Sequence, residues 1–231
     1  MLMLSWMLFL FQSKGNAAAE EGKQTLLGLI TQGGPLGVAI VAILLILSII
    51  AVFIFIERYL TIKKAGKIDK TFMNNIRASI VAGNIEGAKA LCRNTDSPIA
   101  RMVEKGLLRI GKPLRDIEAA IENVGNLELF KLEKNLATLA NISGAAPMIG
   151  FFGTVTGMIL AFYKMATEAN VTPDLLAGGI YQALITTAFG LAIGIFAFVG
   201  YNYLVAAVDK VVFEMERHTV EFMDLLQEPT T

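Results

Sequence analysis

Residues 37–56, GVAIVAILLILSIIAVFIFI, are twenty consecutive positions without a single charge. At about 1.5 Å of rise per residue a helix of that length matches the roughly 30 Å hydrocarbon core of a bilayer. Only a helix satisfies every backbone N–H and C=O within one such segment, so this run predicts a transmembrane helix. Working outward, a second uncharged run extends from Ile142 to Tyr163 and a third from Gly178 to Val205. The expected fold class is therefore all-α, an integral membrane protein with three transmembrane helices.

Composition agrees. Of 231 residues 55% are hydrophobic and only 17% charged, with a mean hydropathy of +0.59, above the range of ordinary soluble domains. Lys plus Arg and Asp plus Glu balance at 20 each, so no nucleic-acid partner is expected. The one cysteine, Cys92, and the one histidine, His218, supply neither an internal disulfide nor a zinc site; both read as structural, with His218 on an acidic, surface-like helix. No nucleophile motif points to an enzyme, and no metal or cofactor is expected.

The charges set an orientation. Residues 57–141 hold 15 of the 20 lysines and arginines, with Arg58, Lys63, Lys64, Lys67 and Lys70 directly after the first span. By the excess of basic residues in cytoplasmic loops, the N-terminus lies outside and both the middle segment and the tail lie inside. The expected division is an N-terminal segment 1–23, spans at 37–60, 136–164 and 178–206, a cytoplasmic helical domain at 61–135, an outer loop at 165–177 and a cytoplasmic C-terminal helix at 207–231. The opening MLMLSWMLFLF is too short to cross; followed by Ala17, Ala18 and Ala19, it reads as an interfacial helix or a weak signal-like segment. Arg58, Lys63, Lys64, Lys210 and Arg217 either bind anionic phospholipid head groups or serve only as topology signals.

Within the middle segment, Gly83-Asn84 predicts a helix stop and restart, Asp96-Ser97-Pro98 a cap with proline in the first turn, and Gly111-Lys112-Pro113 the same punctuation. Ile117, Ile121 and Val124, then Leu129, Leu132, Leu136 and Leu139, form an apolar stripe with one step of five. With no glycine or proline before Gly144 and Pro147, the expectation is one long helix running from the cytoplasm into the second span.

The last two spans differ in kind from the aliphatic first. Gly150, Gly153 and Gly157 share a face of the second span, and Gly190 and Gly194 do so in the third, the small-residue spacing that lets helix backbones approach in lipid. Thr154, Thr156, Thr186 and Thr187 each have the option of bonding back to a carbonyl one turn earlier. Gln182, costly against lipid, should face a partner helix or a wet interior. No Asp, Glu, Lys, Arg or His lies inside the three uncharged runs, 37–56, 142–163 and 178–205. An ion driven through this protein by a gradient must then be bound by an ionisable group from another chain.

Three stretches carry a resemblance: LATLANISGAAPMIGFFGTVTGMILAF (136–162), GGIYQALITTAFGLAIGIFAFVGYNYL (178–204) and, more weakly, GNIEGAKALCRNTDSPIARMVEKGL (83–107). Together they resemble the MotA/TolQ/ExbB proton-channel family, with ExbB and TolQ its nearest branches. The resemblance implies a bacterial inner-membrane homopentamer whose second and third spans line a pore around two copies of an ExbD- or TolR-like protein with one transmembrane helix. It also implies that this companion carries the missing aspartate and that work is delivered to a TonB- or TolA-like protein. By position in the motifs Thr154 and Thr187 match the family's pore threonines, with Thr186 and Gln182 beside them. Many relatives have glutamate at the position of Gln182; its loss here reads as evidence that an ionisable group there is dispensable, the alternatives being a distinct subfamily or a different coupling ion. The competing expectation is a membrane scaffold that recruits a soluble partner through its basic cytoplasmic domain.

Overall fold

The computed structural model describes residues 34–67, 71–167 and 173–227, and all regular structure among them is helical. The N-terminal segment 1–23 lies outside the described residues. In chain order the helices are α1 (Gly34–Ala65), α2 (Phe72–Val81), α3 (Ile85–Asn94), α4 (Pro98–Leu107), α5 (Leu114–Glu133), α6 (Leu136–Thr167) and α7 (Pro173–Gln227). Among the described residues three segments are long and apolar enough to cross a membrane: α1, the rod formed by α5 and α6, and α7. In the rod the apolar length belongs to α6, which has no charge from Leu136 to Tyr163, whereas α5 is rich in charge.

The three long helices form a bundle. Helix α1 buries Ile40, Leu44, Ala51, Ile54, Arg58, Ile62 and Ala65, steps of three and four residues with one of seven, as expected of one helix face packed on others. Its opposite face, with Ile46, Ile49, Phe53 and Leu60, is exposed. In water such a face would be unstable; against lipid it costs nothing. Helix α7 has 55 residues, about 80 Å at the usual rise, far more than a bilayer needs. Its buried stripe continues beyond the apolar part through Leu204, Val208, Val211, Met215, His218, Phe222 and Leu225. His218 is thus buried on the packed side of α7 and not on a surface, a correction to the sequence reading. The charges around it misled: Glu214 and Glu221, one turn before and after, flank the ring, with Glu221 Oε2 3.1 Å from Nδ1, while the ring itself is covered by the packed helices.

The small helices dock on this extension. A Cβ on Gly106 of α4 would fall 2.5 Å from a ring carbon of Phe222 and 2.9 Å from Ile121 of α5, so α4, α5 and α7 meet at one close point. The first two punctuation sites are present as expected: Gly83 at φ 73° precedes the N-cap Asn84, whose side chain accepts from Gly87 N–H, and Ser97 caps α4 by accepting from Ala100 N–H with Pro98 in the first turn. At the third the chain does break, with Gly111 at φ 91°, but Pro113 stands at the N-cap itself, before the first turn of α5, and no side chain caps that helix.

The rod into the membrane is not one unbroken helix. Helix α5 ends at Glu133 and α6 begins at Leu136, with Asn135 at φ 64° between them. Asn tolerates this left-handed conformation better than most residues, so the break needs neither glycine nor proline. It is also braced from outside. The guanidinium of Arg58, buried in α1, donates to the Lys131 carbonyl at 3.0 Å, one of the carbonyls that the end of α5 leaves without an intrahelical donor. Pro147, by contrast, lies inside α6 without ending it.

Candidate functional site

Helices α6 and α7 make the most extensive pairing in the molecule, and glycine sets their separation. A Cβ on Gly190 would lie 2.6 Å from the Ala146 carbonyl and 2.9 Å from the Gly150 Cα, and one on Gly150 would lie 2.8 Å from the Thr186 carbonyl. The two backbones therefore touch. Gly153 faces Thr186, Gly157 faces Ala183 and Gly194 faces the Pro147 ring, so all five glycines singled out from the sequence sit in this seam. That closeness brings side chains of one helix within reach of the other's backbone.

Thr154 and Thr187 use it. Their hydroxyls are hydrogen-bonded to each other across the seam. Thr187 Oγ1 also lies 3.1 Å from the Gly150 carbonyl, and Thr154 Oγ1 3.1 Å from the Ala183 carbonyl. Each hydroxyl has one proton to give and two lone pairs to receive. Two protons thus serve three positions, the two carbonyls and the link between the hydroxyls. The pair can donate to or accept from a neighbour by redistributing these bonds, without leaving a buried donor unpaired. Both threonines are half-buried. At helical spacing from them stand exposed apolar residues, Phe151 on α6 and Leu184 and Leu191 on α7, so the pair is the polar spot at the edge of an apolar face.

The other polar side chains are placed differently. Thr156 bonds back to the Phe152 carbonyl at 2.9 Å, the ordinary fate of a membrane threonine. Thr186 is buried, donates to the Ala183 carbonyl at 2.8 Å and packs on Gly153. Gln182, also buried, lies against Gly37 of α1. Five residues at 3.6 per turn separate it from Thr187 by about 140° around α7. The structure therefore groups Thr154 with Thr187, and Gln182 with Thr186 on the side towards α1.

Charge begins where the apolar lengths end. Lys64 of α1 reaches Asp96 at 2.6 Å, Asp96 and Glu128 both hold Arg101 at 2.8 Å, and Glu128 also takes Lys131 at 2.7 Å. Glu128 is only 4% exposed. Burial alone would raise its carboxyl pKa, but the bonds and charges of Arg101 and Lys131 outweigh burial and hold it below the usual carboxylate range. The hydrogen bonds and charges of Lys64 and Arg101 lower Asp96 likewise. This chain ties α1, α4 and α5 together. The sequence signalled Glu128 only by the step of five between Val124 and Leu129, where it takes the inward position.

Of the basic residues proposed for lipid, Arg58 is buried and braces α5, Lys64 pairs with Asp96 and Arg217 pairs with Glu214. Lys63 lies over the Tyr59 ring at 5.4 Å, and Lys210 is exposed. Burial, then the nearby charge of Glu104, pushes the Cys92 thiol up to about 12, which keeps it an inert core residue. Among the described residues no group of three or more His, Cys, Asp and Glu is placed to hold a metal ion.

The chain is similar to several known proteins. An ExbB homolog of Methanothermobacter thermautotrophicus is 35% identical over 121 residues, 52% of this chain and 42% of the relative. The Tol-Pal system protein TolQ of Haemophilus influenzae is 33% identical over 133 residues, 58% of this chain and 53% of the relative. The biopolymer transport protein ExbB of Neisseria meningitidis serogroup A is 25% identical over 186 residues, 74% and 83% of the two chains. The chain thus spans about half the length of the first two relatives and most of the third. The family model described as the MotA/TolQ/ExbB proton channel family matches residues 94–217, a stretch from α3 to α7 that contains the whole glycine seam and the threonine pair, and the chain belongs to that family.

Proposed function

We propose that the protein is the ring-forming subunit of an inner-membrane motor driven by the proton-motive force, similar to ExbB and TolQ. In this reading the N-terminus is periplasmic and the C-terminus cytoplasmic. Five copies surround two copies of an ExbD- or TolR-like companion with one transmembrane helix, and a TonB- or TolA-like protein receives the work. The observation that carries the reading is the joined Thr154 and Thr187 hydroxyls at the edge of an apolar face, within uncharged runs that hold no Asp, Glu, Lys, Arg or His. A carboxylate brought to this spot by a companion changes between accepting and donating hydrogen bonds as it loses and gains its proton. The threonine pair can match either state, which keeps the two states close in energy and exchange fast. Each charge moved down 100 mV releases about 2.3 kcal/mol, so a few suffice to shift a helix between packings. Anionic phospholipid would meet the exposed Lys210 and Lys63.

The test is Thr187→Val, which keeps the shape and removes the hydroxyl. Gradient-driven activity is expected to fall by roughly tenfold or more, the ~1.4 kcal/mol of one well-placed hydrogen bond, while the oligomer stays intact. Full activity in this variant would favour the membrane scaffold instead.

A further inference from the structure

The first span is plainly aliphatic, and nothing in its composition gives it more than an anchoring role. Its contacts say otherwise. The end of α1 that begins the span touches both helices of the seam at the level of the threonines. A Cβ on Gly37 would overlap the amide nitrogen of Gln182, with the amide carbon 3.3 Å and the amide oxygen 3.8 Å away. One turn further along α1, a methyl of Ile40 lies 3.3 Å from where a Cβ on Gly153 would stand. Gly37 and Ile40 thus face Gln182 and the Gly153–Thr186 contact in turn, and Gln182 and Thr186 are themselves one turn apart on α7. Gln182 is 6%, Thr186 2% and Ile40 5% exposed, so the contact is closed on all sides.

We infer that Gln182 is a positioning residue, its amide keyed into the notch that Gly37 leaves in α1, and that this key fixes the rotation and height of α7 at which Thr187 meets Thr154. The physical reason is leverage. Threonines 186 and 187 are successive residues, so any turn of α7 about its axis that lets the Gln182 side move away from α1 carries Thr187 away from Thr154 by the same angle. The glycine seam fixes how near α6 and α7 lie, but the side chains that seat in its notches, Thr186 on Gly153, Ala183 on Gly157 and Pro147 on Gly194, are short and give only a shallow grip against such rotation. A long side chain seated in a notch does resist it. The role makes α1 a third wall of the site and gives Gly37, as well as Gln182, a function in it. It is a role of shape, distinct from an amide that passes or binds an ion. Only its consequence for ion flux rests on the function proposed above.

The test reads geometry directly. Thr154→Cys and Thr187→Cys are introduced together into the full chain in membranes, where the buried Cys92 gives little background, and the yield of the 154–187 disulfide under mild oxidation is measured. Adding Gly37→Ala should expel the amide and lower the yield several-fold. Adding Gln182→Ala should lower it as well. The two together should give no lower yield than Gln182→Ala alone, since a key already removed has nothing left to lose. An unchanged yield in Gly37→Ala, or defects that multiply in the combination, would overturn the inference. In parallel, single Gln182→Ala is assayed for gradient-driven flux in the complex with intact threonines. Reduced flux alongside reduced disulfide yield supports positioning, whereas abolished flux with an unchanged yield would show that the amide itself acts on the ion. The disulfide measurement stands even if the complex carries no flux, so failure of the motor reading and failure of this inference are separate results.

Discussion

The hydroxyls of Thr154 and Thr187 meet only because the residues around them are small. Gly150 and Gly190 bring two backbones into contact, and threonine is then long enough to reach the opposite carbonyl. A single methyl should undo this. At Gly190 the added carbon meets backbone on the facing helix, Ala146 O and Gly150 Cα, which cannot swing aside as a side chain would. Gly190→Ala is expected to destabilise the α6–α7 pairing by about 1–3 kcal/mol, the cost of overpacking a closed contact. Gly144, in the same helix as Gly150, has nothing within 4 Å of its would-be Cβ. Gly144→Ala should be neutral or stabilising by up to about 1 kcal/mol, through the better helix propensity of alanine. Thermal melting of helicity in detergent distinguishes the two, and equal effects would refute the seam as described.

At the scale of the element, the junction between α5 and α6 rests on one residue in the left-handed region and one cation beneath it. Asn135→Gly should be tolerated, whereas Asn135→Val should cost about 1–2 kcal/mol because a β-branched side chain clashes at φ 64°; the comparison is again a melting midpoint. Beside this junction Glu128 gives the charge-rich helices α4 and α5 a pH dependence of definite sign. In the folded protein Arg101 and Lys131, against the opposing effect of burial, hold its carboxyl below its ordinary value, so its stabilisation is fully present above the unfolded carboxyl's pKa and is lost as pH falls through the folded pKa. Between pH 6 and pH 3 the wild-type midpoint should therefore fall more steeply than that of Glu128→Gln, which has no proton to gain. A parallel pair of curves would contradict the buried ion pairs. Asp96 acts in the same direction but is exposed, and its share is weakened by solvent.

For the molecule as a whole, three apolar helices carry no charge across the membrane, and a motor made from them needs an acid from another chain. Purified protein reconstituted alone should pass no ion-selective current above the lipid background. Adding a companion that bears an intramembrane aspartate should produce gradient-dependent flux, and native mass spectrometry of that complex should give five copies to two. Selective current from this chain alone would overturn the division of labour.

Much of this was written in the chain order. Twenty uncharged residues in a row admit one solution in lipid, so the spans, the all-α class and the family motifs were legible from GVAIVAILLILSIIAVFIFI and GFFGTVTGMILAF. The caps at Asn84 and Ser97 were legible too, because a cap is a local bond between near neighbours. What sequence could not decide were relations between residues far apart. The same glycine spacing suits any close helix pair, and only the packed structure shows that it aligns Thr154 with Thr187 and turns Gln182 towards Gly37. The break at Asn135 escaped the apolar stripe because the stripe runs on through it. It is held by Arg58, more than seventy residues earlier in the chain, which periodicity within one helix cannot see. Burial of His218 and Glu128 was hidden for the same reason: whether a polar residue faces water or a neighbour depends on which neighbour arrives, and that is settled only when the helices pack.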